Sequence, residues 1–337
     1  MLEHEQYLAA GNRAVGWAAA RVGANGHFQG DAHCLFAYYK APIAFATAGR
    51  VAEAASVMRT IERDFFRGGT FVEEVPYPAA TASPEYRRAW LTFGAHAVRA
   101  YALSYPACDR LSEQIHPRLG GIVVEGASGT GGGRQVDWGT TCCAIVAFLS
   151  RGRVKDAVRA GNFILQLISD QPNPTRRLCM RRDDTGNLVG SEDPEKAVGW
   201  VIEYSKTGQI YWYLGFALVA FAQLLSATGD IVWQEGAEKV YSFIERCNAE
   251  VYESITNGKI AWGSALMFAA TGEERYCALA ARVGRWLVEI QTPEGPWVRR
   301  PRYATLAEQP LAVSLDTTLE RGFFMLELAR VFAGRAG

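Results

Sequence analysis

The chain is 337 residues long, 49% apolar and 21% charged, with 35 basic residues balanced by 35 acidic ones. That is the composition of a globular protein with a large core, and it excludes disordered and fibrous classes. A net charge of zero gives no field to attract nucleic acid or an anionic membrane, so neither is an expected partner.

Taken in chain order, the sequence repeats one helical unit about every 40–50 residues. An apolar helix runs to a break at Ala48-Gly49-Arg50, Arg151-Gly152-Arg153, Thr228-Gly229-Asp230 and Thr271-Gly272-Glu273. A second, Ala-rich helix follows each break, at 51–66, 154–169, 231–247 and 274–290. A glycine turn then closes the unit at Gly68-Gly69, Gly186, Gly258 and Gly295. Repeats of this period are stacked helix pairs. The pairs are expected at about 35–67, 87–116, 137–169, 209–247 and 260–290, the second breaking near Ser104-Tyr105-Pro106 because proline stops a helix.

One helix at the start (4–22) and one at the end (314–333) complete a sixth pair. Both are too apolar to face solvent as caps of an open solenoid. The expected fold is therefore all-α, an (α/α)6 toroid of about six pairs closed between the N- and C-terminal helices. It is expected as one domain over 1–337, with an inserted loop at 171–207 and a glycine-rich stretch at 120–134. No run spans a bilayer and Met1-Leu2-Glu3-His4-Glu5 lacks a signal pattern, so the expected location is cytoplasmic. The seven cysteines are odd in number and scattered, which fits free, buried thiols.

The segment Gln291-Thr292-Pro293-Glu294-Gly295-Pro296-Trp297 resembles the Gln-x-x-Asp-Gly-x-Trp motif of squalene and terpene cyclases, with Glu294 in place of aspartate. The resemblance implies a structural staple between the end of an outer helix and the next unit. With the pair repeat, it implies the α/α toroid of the terpenoid-cyclase and protein-prenyltransferase superfamily. That family's catalytic motifs are absent: there is no Asp-x-Asp-Asp run. Asp183-Asp184-Thr185-Gly186-Asn187, the nearest to a magnesium motif, reads as an aspartate turn. Asp31, His33 and Cys34 are the one neighbouring group of zinc-type ligands, without a second cluster at ligand spacing, so no metal or cofactor is expected.

In a ring of pairs the inner helices run parallel, and their starts gather at one mouth, where helix N-termini offer unpaired N–H groups. Residues near those starts are the candidates. For proton chemistry these are His33, Tyr39, His96, Asp137, Asp316 and Glu320. Asp316 and Glu320 lie four apart on one helical face, and two close carboxylates divide into acid and base. Asp137 and Asp316 also have a structural reading as N-caps. His96 and His33 are candidates because the free imidazole changes charge near neutrality, though a lone histidine is commonly a core residue. Substrate contacts are expected from Tyr38, Lys40, Trp90, Trp138, Glu203, Tyr204, Tyr211, Trp212 and Trp262, an aromatic wall with polar handles. Lys40 has the alternative of a solvated helix edge.

The expected function is a metal-independent acid–base enzyme of isomerase, cyclase or lyase type acting on a small molecule. The alternatives are a carbohydrate-active hydrolase or lyase using paired carboxylates, and a non-catalytic helical scaffold. The fold alone does not choose among them.

Overall fold

The computed structural model describes residues 2–30, 33–73, 83–125, 133–190 and 200–335. Asp31, raised above as a ligand, and residues 126–132 of the glycine-rich stretch lie outside the described residues.

In chain order the helices are α1 (Glu3–Ala19), α2 (Leu35–Tyr38), α3 (Ala41–Thr47), α4 (Val51–Phe65), α5 (Pro84–Ala97), α6 (Tyr101–Glu113), α7 (Trp138–Ser150), α8 (Val154–Ser169), α9 (Trp212–Thr228), α10 (Val232–Arg246), α11 (Gly258–Thr271), α12 (Glu274–Glu289) and α13 (Leu311–Ala333). Short strands lie between them: β1 (Phe66–Arg67), β2 (Thr70–Phe71), β3 (Val123–Glu125), β4 (Arg134–Asp137), β5 (Arg177–Cys179), β6 (Arg181–Asp183) and β7 (Val201–Glu203). The last three fall in the segment expected to be an inserted loop. The protein is all-α apart from these ribbons.

The pairs alternate in character for a packing reason. Helices α7, α9, α11 and α13 are apolar and buried on nearly every face. Helices α4, α8 and α10 bury one stripe each, for example Ala54, Val57, Met58 and Ile61. A helix apolar all round needs neighbours all round, and a striped one covers it from one side.

The helix breaks share one termination. At Gly49 (φ 71°) and Gly152 (φ 78°) the left-handed residue lets Arg50 N–H reach Phe45 O at 2.9 Å and Arg153 N–H reach Phe148 O at 2.8 Å. Gly229 and Gly272 use the simpler closure, donating to Leu225 O and Phe268 O. The second pair corrects the sequence reading. It breaks at Arg99, which takes φ 61° in the glycine's place while Ala100 N–H bonds Ala95 O, and Pro106 lies inside α6. Gly258 is also not a turn but the helical first residue of α11.

Two compact units are resolved, one formed by residues 1–110 with 284–337, the other by 111–283. In the first, α1 lies along α13, α13 also packs on α2 and α3, and α3 packs on α4 and α5. Gly11 and Gly322 let the terminal helices approach: a Cβ at Gly11 would stand 2.7 Å from Leu326. The 291–297 segment is the staple its motif implied. Gln291 donates to Ala10 O (2.9 Å) and Gly295 O (2.7 Å), Trp297 donates to Leu287 O (2.8 Å), and Gly295 turns at φ 109° against Arg13 O.

In the second unit α7 packs on α8 and α9, and α9 on α10 and α11. Strands β3, β4 and β6 form an antiparallel sheet whose register pairs Asp137 with Arg181.

Candidate functional site

The first unit holds a buried cluster of charged groups around Lys40. Proline at 42 cannot donate to Tyr38 O, so the helix is interrupted between α2 and α3, and Tyr39 and Lys40 occupy the interruption. There Lys40 Nζ meets Asp316 Oδ1 at 2.7 Å and Glu320 Oε1 at 2.9 Å. Both carboxylates belong to α13, four residues apart on one face as their spacing requires. Asp316 is no cap: α13 starts at Leu311, with Pro310 in the capping position. Arg321 closes the cluster, its guanidinium 3.0 Å from Glu320 Oε2 and 3.1 Å from Thr317 O.

Tyr39, Lys40, Asp316, Glu320 and Arg321 are each 6% exposed or less. Two cations balance two anions, so the cluster is neutral. Burial raises the Tyr39 phenol well above its usual range, and the negative charge of Asp316, to which its hydroxyl hydrogen-bonds, adds to the rise. The Lys40 ammonium also stands 4.8 Å from the Tyr39 ring centre. Burial lowers Arg321, against the pull of Glu320 and Asp316.

Beside this cluster lies an aromatic group in which Tyr86 joins Tyr39 to Trp90, and Trp90 meets Phe93 and Phe323 edge to face or tilted. A second buried ion pair, Arg87 with Glu73, follows from α5.

Other candidates are placed elsewhere. His96 is in the last turn of α5, packed on Tyr101 and Tyr105 of α6. It is nine residues, about 14 Å of helix, from Arg87. His33 precedes α2 and stands with His27 and Asp64. Tyr38 is buried, its hydroxyl accepting from Phe28 N–H at 2.9 Å.

In the second unit Asp137 caps α7 through Thr140 N–H (2.6 Å) and binds Arg181 Nε (2.7 Å) and the Tyr213 hydroxyl (2.8 Å). Three donors on one carboxylate leave it little capacity for a substrate. Arg181 is further sandwiched by Trp200, 3.5 Å from the ring centre, and bonded to Gln135. Trp138 donates to Tyr213 O (3.0 Å), and the hydroxyls of Tyr204 and Tyr211 donate to the carbonyls of Pro174 and Lys206. Glu203 pairs with Lys206 at 3.1 Å. Trp212 and Phe216 face Lys259, with Trp262 beyond Phe216. Asp183 accepts from Thr185 and Asn187 N–H, the aspartate turn read from the sequence. Burial raises the Cys142 thiol well above its usual range, which removes it as a nucleophile.

The sequence reading passed over Arg321, Glu73 and Arg181, and placed Arg87 at an inner-helix start without a role. For Arg321 a signal existed, an arginine inside the apolar run from Leu319 to Leu328. The others depend on contacts with residues distant in sequence.

No protein-family model matches the chain, and a search of curated proteins gives no match. Solved structures do match over nearly its full length. A GH76 α-mannanase of Bacteroides thetaiotaomicron superposes with a TM-score of 0.66 at 10% identity, covering 98% of this chain and 97% of its own. A D-mannose isomerase gives 0.67 at 10% identity, covering 97% and 98%. A type II terpene cyclase from Scytonema, in complex with merosterolic acid A, gives 0.59 at 16% identity, covering 98% and 99%. At these identities the likeness is one of fold. The chain has the α/α-toroid fold, which these enzymes share.

Proposed function

We propose that the protein is an acid–base enzyme that moves a proton on a small polyfunctional molecule, with Asp316, Glu320, Lys40 and Tyr39 as its reacting groups. One observation carries this reading: a lysine held between two carboxylates, with a phenol on one of them, in a dry region of helix. Such a cluster is costly. Buried ion pairs are often outperformed in stability by apolar residues of the same volume, and groups with strongly perturbed protonation gather at functional sites.

The roles follow from charge. A carboxylate of the Asp316–Glu320 pair takes a proton from carbon beside a carbonyl. The Lys40 ammonium, with a third N–H beyond its two ion pairs, stabilises the enolate oxygen. Tyr39, kept protonated by burial, holds a proton next to Asp316 for return to the adjacent carbon. The carbon that loses its proton bears a hydroxyl, whose proton passes to the former carbonyl oxygen as the new carbonyl forms, and the protonated carboxylate returns its proton to Tyr39, so atoms and charges balance as an isomerisation. The aromatic group from Tyr86 to Phe323 gives the apolar surface against which such a substrate packs.

A glycoside hydrolase is the second reading. The two carboxylate oxygens share one Nζ within 2.9 Å, so they lie under about 6 Å apart, near the spacing of a retaining pair. The lysine fills the space between them, which favours proton transfer over attack at a sugar carbon.

The test is a substrate panel followed by NMR in D2O: D-mannose and other aldoses, α-1,6-mannotriose, and a polyprenyl arene. Deuterium entering beside the carbonyl of a sugar, with Asp316→Asn and Tyr39→Phe each slowing turnover about 10²-fold or more, is the expected result. Wild-type turnover in both variants removes the assignment. Release of mannose without exchange moves it to the hydrolase.

A further inference from the structure

Away from the Lys40 cluster, the first unit brings together His27, His33 and Asp64, three metal-type ligands from three separate stretches of chain. One ligand atom from each lies within 4.8 Å of the others. His27 follows α1 in a tight loop, His33 precedes α2, and Asp64 is the penultimate residue of α4. The Nδ1 atoms of the two histidines are 3.1 Å apart, and their Nε2 atoms are 3.5 and 3.7 Å from Asp64 Oδ2. Two donors on a tetrahedral cation at about 2.0–2.1 Å stand about 3.3–3.4 Å apart, close to the two nitrogen–oxygen separations, and the whole set, within 4.8 Å, has to draw in only slightly around an ion.

The supports of the cluster are firm. Gly23 N–H bonds His27 O at 2.8 Å, and the His27 N–H bonds Asn25 Oδ1. Phe28 N–H is held by Tyr38. Gly26 turns at φ 81° with its Cα so close to Ser56 that a Cβ would stand 2.4 Å from the Ser56 carbonyl oxygen. The loop is thereby fixed against α4, which carries Asp64. His33 packs against the rings of Phe65 and Tyr38, which also touch each other.

The cluster also has a cation in it already. Arg63 reaches His27 Nε2 at 2.5 Å while binding both oxygens of Asp64, at 2.7 and 2.9 Å. Its side chain is half exposed, so it can leave without opening the core.

We propose that His27, His33 and Asp64 form a binding site for a divalent transition-metal ion of the zinc class, in which the Arg63 guanidinium stands in for the ion in its absence. Two imidazoles and one carboxylate leave a fourth tetrahedral position for water. Binding through both Nε2 atoms puts a proton on each Nδ1, so one ring must swing to part the two Nδ1 atoms from their 3.1 Å contact while its Nε2 stays toward Asp64. His33, half exposed, is the ring with room to do so.

The experiment uses the full-length, untagged chain, titrated with Co2+ by visible absorption and with Zn2+ by calorimetry at pH 7.5. The expected result is one site with the d–d bands of a four-coordinate ion. His33→Ala and Asp64→Asn should each weaken it at least tenfold, and Arg63→Ala should tighten it. Far-UV circular dichroism checks that the variants fold, and His96→Ala serves as a control histidine that leaves the affinity unchanged. Absence of a stoichiometric site in the wild type overturns the proposal. So does binding that survives both His33→Ala and Asp64→Asn, which would assign it to other histidines or to the thiols.

Discussion

Replacing Lys40 with methionine is the sharpest test of the buried cluster, because it keeps the stem and removes only the charge. Lys40 is 4% exposed and lies 2.7 and 2.9 Å from two carboxylate oxygens. At an effective dielectric of about 20, each contact is worth about 6 kcal/mol of attraction before desolvation is subtracted. Most of that is offset by the cost of burying the ions. What the variant shows is the penalty of leaving charges buried without a partner, about 3–5 kcal/mol. For a chain of this size the melting temperature should fall by on the order of 10 °C.

The loss should depend on pH in a defined sense. Without the ammonium, a proton takes its place on one of the two carboxylates of the folded variant, while the unfolded chain has released that proton above about pH 5. The folded variant then binds more protons than the unfolded one, so its stability falls as pH rises. Differential scanning fluorimetry at pH 5 and pH 8 reads this directly. The deficit against wild type should be large at pH 8 and smaller at pH 5, and adding Glu320→Gln should restore part of it. A melting temperature within about 2 °C of wild type at pH 8, or a deficit that ignores pH, would refute the argument that these ions are closely coupled.

Alkaline titration followed at 295 nm should show late tyrosines, since burial pushes Tyr38 up to about 12 and raises Tyr39 well above its usual range. The unfolded chain loses those protons first, near pH 10, so stability should be intact below that value and decline as pH climbs toward 12. All 14 tyrosines ionising together near pH 10 in the folded protein would contradict the burial. Asp137→Asn keeps a residue able to cap α7 but leaves Arg181 buried without its counter-charge, costing about 3–5 kcal/mol; an unchanged melting temperature would show that the pair is loosely held. Arg99→Gly should stabilise by about 0.5–1 kcal/mol, because the left-handed conformation strains an arginine and suits glycine. A lower melting temperature would mean that the Arg99 side chain contributes more than its backbone costs.

The pair repeat was readable because its punctuation is glycine at a position where only a left-handed backbone can turn back. Where Arg99 performs that turn nothing in the sequence marks it, and the eye moves on to Pro106, which lies inside α6 without ending it. The 291–297 staple was readable for the opposite reason, since its hydrogen bonds need glutamine, glycine and tryptophan at fixed offsets. Asp316 and Glu320 could be paired from their spacing alone. Their partner Lys40 is 276 residues from Asp316, and no local pattern joins them. Asp137 had two readings; its cap on Thr140 was legible in the sequence, whereas its Arg181 partner is delivered by the register of β4 on β6 and was not.

The first unit is assembled from two stretches far apart in sequence, 1–110 and 284–337, with α13 lying along α1 and carrying the carboxylates that receive Lys40. Translation therefore delivers the lysine long before its counter-ions. Residues 111–283 form a continuous stretch that can collapse as it emerges, while the first 110 residues wait with the seat of α13 unfilled. Until Leu311–Ala333 leaves the ribosome, Lys40 must stay hydrated and the Gly11 face of α1 uncovered. The proton-handling cluster thus comes into being only when synthesis of that last helix is finished, and a chain stalled before it presents a sticky groove to chaperones and proteases instead of a folded unit.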